Sequence, residues 1–155
     1  MPIYMKYDGI DGEVTAKGHE KWIEVLSWSF GVTNPSTIGS ATGGAGAGKA
    51  SFQDVHFVQN SQSSSPKLLQ ALARGEVHKS VLITFVKGES NPVEYLKIKL
   101  EDVLVSSFQA GAAEGSNNET PSESVSLNFA KIEWDYFPPN GDGTPIVFAF
   151  NIRAN

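Results

Sequence analysis

Glu123-Ser124-Val125-Ser126-Leu127-Asn128-Phe129-Ala130-Lys131-Ile132-Glu133-Trp134-Asp135-Tyr136-Phe137 is the stretch on which the reading of the fold turns. Val125, Leu127 and Phe129 share one face of a strand, whereas Ile132, Trp134 and Tyr136 share the opposite one. Side chains alternate along a strand, so this change of phase predicts a bulge or a strand that serves two different interfaces.

The neighbouring segments follow the same two-residue period. Before that stretch, Leu96, Ile98 and Leu100 alternate with Tyr95, Lys97 and Lys99, and Val103 to Gln109 follows almost at once. The sheet is therefore expected to continue around a bend near Glu101-Asp102. Val81, Ile83 and Phe85 alternate with Leu82 and Val86. After the stretch, Ile146, Phe148, Phe150 and Ile152 alternate with Val147, Ala149, Asn151 and Arg153. Towards the start, Ile3 to Tyr7 is a short strand followed by the turn residues Asp8-Gly9-Ile10-Asp11-Gly12. His19 to Gly31 reads as one strand, with Trp22, Leu26, Trp28 and Phe30 on one side. Ile23 and Val25, then Ser27 and Ser29, occupy the other, so both faces are expected to be covered. Ser51 to Gln59 is a further strand, with Val55 and Phe57 opposite Phe52 and Val58.

One segment breaks the pattern. Across Ser65-Pro66-Lys67-Leu68-Leu69-Gln70-Ala71-Leu72-Ala73-Arg74-Gly75, Ser65 can cap a helix and Pro66 suits its first position. Leu68, Leu69 and Leu72 form an apolar stripe, and Gly75 is a stop. Val32 to Ala50 and Ala110 to Ser122 are loops of small and polar residues, the first long enough to suggest a function. The fold class that results is mainly β: an antiparallel barrel of about eight strands with one short α-helix, or second to it a two-sheet sandwich. At 155 residues, a single domain spanning 1–155 is expected.

Composition narrows the function. There is no Cys, so disulfides and thiolate chemistry are excluded. A net charge of −5 disfavours nucleic acid and anionic membrane surfaces as partners. No apolar run spans a bilayer, so membrane insertion is not expected. Met1-Pro2-Ile3-Tyr4-Met5-Lys6 lacks the basic and apolar regions of a cleaved signal peptide.

No catalytic, cofactor or metal site is expected. Gly43-Gly44-Ala45-Gly46-Ala47-Gly48-Lys49 matches the first seven positions of a phosphate-binding loop, but Ala50 stands where a magnesium-binding hydroxyl belongs. A strand-like segment also follows, instead of a helix whose amides hold phosphate. His19, His56 and His78 show no metal-ligand spacing. Glu101 and Asp102 are adjacent and fall on opposite sides of a strand, so they cannot work as an acid and base pair. Trp22, Trp28 and Trp134 would make a sugar platform if exposed, and core or subunit contacts otherwise. Partly apolar strands in excess of one core's needs point to contact between copies of the chain.

A resemblance extends this reading. Asp8-Gly9-Ile10-Asp11-Gly12-Glu13, Trp22-Ile23-Glu24-Val25-Leu26-Ser27-Trp28-Ser29-Phe30-Gly31, the Gly-rich run into Gly48-Lys49, Ser65-Pro66-Lys67-Leu68-Leu69 and Glu123 to Ile132 resemble, in order, the haemolysin-coregulated protein (Hcp) family. Phe30 departs from the Trp frequent there. The resemblance implies a non-enzymatic tube subunit of the bacterial type VI secretion system. Its hexameric rings would stack, hold small effector proteins in the lumen, and be driven out by a contractile sheath behind a spike protein. It implies a cytoplasmic protein before firing that is then secreted without a cleaved leader. The chain ends just after its last strand, so no appended toxin domain is expected. On this reading Ser27 and Ser29 face the lumen and its cargo, while Gly43, Gly44, Gly46, Gly48 and Lys49 belong to a loop for ring stacking. Two alternatives are a carbohydrate-binding sandwich, which needs exposed tryptophans, and an effector chaperone that never polymerises.

Overall fold

The computed structural model describes residues 1–35, 49–115, 117 and 119–153. Among them the strands are β1 (Ile3–Tyr7), β2 (Ile23–Val25), β3 (Ser27–Ser29), β4 (Val32–Thr33), β5 (Ser51–Phe52) and β6 (Val55–Asn60). The helix α1 (Ser64–Arg74) follows, then β7 (Val77–Lys87), β8 (Val93–Gly111), β9 (Ser122–Tyr136) and β10 (Ile146–Asn151). Eight strands form one antiparallel sheet in the order β2-β1-β7-β8-β9-β6-β3, with β10 also on β9; β4 and β5 pair separately. The expected barrel is therefore present, nearly closed on itself.

Closure lies in the stretch read as one strand. Ile23 and Val25 are buried, at 0% and 4% exposure, whereas Ser27 and Ser29 are exposed although strict alternation puts them on the same side. The chain breaks parity at Leu26. β2 pairs with β1, and β3 pairs with β6 at the far end of the sheet. The Leu26 amide donates to the Val58 carbonyl at 2.8 Å, so one residue joins the two ends of the sheet. An unbroken strand was the wrong expectation here, because both halves carry apolar residues and hide the switch.

The change of phase in β9 has a matching cause. In β8, Leu100 and Val103 are both buried an odd step apart, and in β9 so are Phe129 and Ile132. Glu101 stays opposite Lys131 and Val103 opposite Phe129, so the two strands reverse facing together at one level. Asp102 sits between them with φ of 53°, a left-handed conformation that a short polar side chain tolerates. Here is the expected bend. The free edge of β9 meets β6 over residues 122–127 and β10 over 131–136, so one strand does serve two interfaces. The bulge proper is in β8, between Val105 and Ser107.

Met5, Ile23, Phe57, Ile83, Ile98, Leu100, Leu127 and Ile132 fill the barrel, and α1 adds Leu68 and Ala71 to the same cluster. Burying Leu68 completely contributes about 1.5–3 kcal/mol. The helix starts one residue before the expected cap. Ser63 is its N-cap, without a side-chain capping bond, and Pro66 is in the first turn, where amides lack helical partners anyway. Ser65 instead is buried and donates to Glu123 at 2.6 Å, while Gln59 donates to the same carboxylate at 2.7 Å. Leu69 is 45% exposed and outside the stripe, which consists of Leu68, Ala71 and half-buried Leu72. Gly75 ends the helix with φ of 61°, as expected. Val32 and Thr33, read as loop, pair with β5; two residues are too few for a period to show.

Candidate assembly edge and polar wall

The outward face of β3, β6, β9 and β8 is built from small uncharged groups. Residues directly opposite in antiparallel strands share a face, so the register defines two rows across this surface. One runs Ser27, Val58, Ser124, Gln109, and the next Ser29, His56, Ser126, Ser107. Both rows are exposed except for half-buried Val58 and for Ser126, which is covered by its neighbours. Ser107 Oγ donates to Ser126 Oγ at 2.7 Å, and Ser126 Oγ lies 2.7 Å from His56 Nδ1, so hydrogen bonds cross three strands. The inward partners, Phe57, Val125 and Leu127, are core. A floor this well packed holds the polar wall in shape.

Ser27 and Ser29 are therefore exposed and turned away from the core, opposite half-buried Trp28. Their companions on β6, β8 and β9 escape a reading of separate segments, because only the register sets them side by side. Gly43, Gly44, Gly46 and Gly48 lie outside the described residues. Lys49 is exposed, just before β5.

A second surface has the opposite chemistry. Among the described residues β10 pairs with no strand but β9, so over 146–150 its other edge has no neighbouring strand. Ile146, Val147 and Phe148 are 67%, 53% and 48% exposed, so apolar groups project from both faces of this edge strand. An exposed apolar edge strand is open to further pairing, since the amides and carbonyls on its outer side and its apolar side chains face solvent. Phe148 stacks on Phe150 at 6.3 Å and Phe150 on Phe52 of β5 at 5.0 Å. The edge is thus anchored to the rest of the molecule.

The other candidate residues resolve into structural roles. Trp28 packs against Phe85 at 5.4 Å and Trp134 at 5.9 Å, inside an aromatic cluster that offers no open sugar platform. His19 lies 2.7 Å from Glu94 with Tyr4 tilted against it and Trp22 edge-on, and His78 Nδ1 is 2.7 Å from the Asp8 carbonyl. Glu101 pairs with Lys99 and Lys131, while Asp102 pairs with Arg153. Among the described residues no group of three His, Asp or Glu side chains could hold a metal ion, and no helix is long and apolar enough to cross a membrane.

Fold and surfaces together define a class: a small antiparallel barrel with an apolar edge strand paired on one side among the described residues, and a serine-rich wall. Comparison with known proteins narrows it. The family described as "Type VI secretion system effector, Hcp" matches residues 4–136. The chain is 37% identical to the protein hcp1 of Pseudomonas aeruginosa over 158 residues, covering 99% of this chain and 96% of that one. A solved type six secretion system protein superposes with a TM-score of 0.89 at 27% identity, covering 99% of this chain and 97% of that one. Hcp1 from Salmonella typhimurium does so with 0.83 at 28% identity, covering 99% and 96%. This chain belongs to the Hcp family of type VI secretion proteins.

Proposed function

We propose that the chain is a structural subunit without enzymatic activity, which closes into six-membered rings that stack as the inner tube of a type VI secretion system. The rings hold small effector proteins against the polar wall. They are loaded in the cytoplasm and leave behind a spike protein, inside a contractile sheath.

The observation that carries this reading is β10. A closed ring of identical subunits needs two different complementary surfaces on each one. An edge strand apolar on both faces is one such surface, and it has no use in an isolated molecule. The wall containing Ser27 and Ser29 suits the lumen, because small neutral groups hold many cargoes weakly and release them. Gly43, Gly44, Gly46, Gly48 and Lys49 are assigned to ring stacking; deleting residues 43–48 then leaves rings intact while weakening tubes.

Electron micrographs of the purified protein test the reading. Six-fold rings, some stacked end to end, are expected; particles no larger than one subunit contradict it. Ser29→Arg is expected to leave those rings assembled and to change how much cargo they retain. If that variant yields monomers instead, Ser29 belongs to the subunit interface.

A further inference from the structure

The two rows of the polar wall carry seven side chains that never ionise and one imidazole, His56. Two serines beside it bear on which ring nitrogen holds the proton. Ser126 Oγ accepts from Ser107 Oγ and lies 2.7 Å from His56 Nδ1, to which it can give its own proton or from which it can accept a second one. In the neutral ring a nitrogen that accepts leaves the proton on the other, here Nε2. Among the described residues Nε2 has no partner, and the residue is exposed. The carboxylate nearest along β6 is Asp54. Ser106 Oγ donates to one of its oxygens at 2.6 Å, and Asn128 Nδ2 donates to the other at 2.9 Å. One acceptor site on each oxygen is therefore taken by a neighbouring strand, which fixes the carboxylate beside Ser106 and Asn128.

We propose that His56 makes this wall selective for carboxylate-bearing cargo, offering an Nε2–H donor whose tautomer and orientation are set by Ser126 and Ser107. The proposal rests on the wall being the cargo surface. The hydroxyl groups around it donate and accept equally and discriminate little, whereas a fixed N–H rewards an acceptor and repels a cationic donor. A hydrogen bond to a charged acceptor is about twice as strong as a neutral one, so acidic side chains gain most.

Two fluorescein-labelled peptides of equal length serve as probes, one alternating Glu and Ser, the other Lys and Ser. They are titrated into the full-length assembled chain, the His56→Phe variant and the Ser29→Arg variant, each checked for unchanged mass. The wild type is expected to bind the Glu peptide more tightly. His56→Phe should weaken that binding by about tenfold and leave the Lys peptide unaffected. Ser29→Arg should shift binding towards the Glu peptide wherever the wall touches it. If Ser29→Arg shifts binding and His56→Phe does not, the wall holds cargo and the role given to His56 is wrong. If neither variant changes binding, the cargo wall and the proposal fall together, and if the wild type prefers the Lys peptide the proposal falls alone. Should His56→Phe not assemble, nitrogen NMR of the imidazole in the unaltered chain decides: the Nε2–H tautomer is required, and Nδ1–H overturns the proposal.

Discussion

Replacing Ile146 and Val147 together by Ser separates the strength of the assembly from that of the fold. In the isolated subunit these side chains are 67% and 53% exposed, on opposite faces of β10. Full burial of a large aliphatic side chain stabilises by about 1.5–3 kcal/mol, so covering the exposed fractions at the proposed subunit contact should contribute about 2–3.5 kcal/mol. That corresponds to roughly a 30- to 350-fold loss in association at one contact. Stability of the single subunit should move by no more than about 0.5 kcal/mol, as for surface substitutions generally. Sedimentation velocity across a dilution series reads the first quantity. Urea unfolding of the monomeric fraction reads the second. Unchanged association refutes the assignment of β10 to the interface, and a large loss in the urea midpoint shows that the two side chains belong to the subunit's own core.

Gly12 is approached by the backbone of the next segment: a Cβ there would contact the Trp22 carbonyl and come within 2.6 Å of Ile23 Cα. Gly12→Ala is expected to lower unfolding stability by about 2 kcal/mol or more, and a urea midpoint matching the parent counts against that close approach. Glu133 has its carboxyl pushed above the ordinary value, first by burial and then by the charge of Asp135. Its ionisation therefore opposes folding: stability is fullest below the unfolded-state value and declines as pH rises through the folded-state one. Glu133→Gln should stabilise at neutral pH and lose that advantage in acid; a pH-independent difference contradicts it. Glu13 is held below the ordinary carboxylate range by the Ser63 hydroxyl and then the Ser63 amide. This contribution is present above the unfolded-state value and is lost as pH falls through the folded-state one. Carbon NMR should find Ser63→Ala moving the Glu13 titration back upward, and an unmoved curve excludes the hydroxyl as its main cause.

Long, strictly periodic segments were legible as they stand. β7, β8, β9 and α1 each carry enough alternation or helical spacing to declare themselves, and the bend at Glu101-Asp102 shows as two strand patterns with no turn between. The break at Leu26 did not show, because Trp28 and Phe30 replace Ile23 and Val25 as core residues without any interval. Leu69 looked like core since three leucines in five residues suit one stripe, yet the helix turns it to solvent. Two of the wall's eight residues, Ser27 and Ser29, were visible as a pair. His56, Ser107, Ser124 and Ser126 join it only through pairing between residues distant in the chain, which no single segment encodes. The apolar surplus of β10 was legible as composition, but its location at a free edge required the sheet order.

Native mass spectrometry of the purified protein at micromolar concentration, without added nucleotide or metal, tests the central claim most directly. A dominant species of six subunits, dissociating on dilution faster in the Ile146→Ser/Val147→Ser variant, is the predicted result. A single subunit at every concentration contradicts the account.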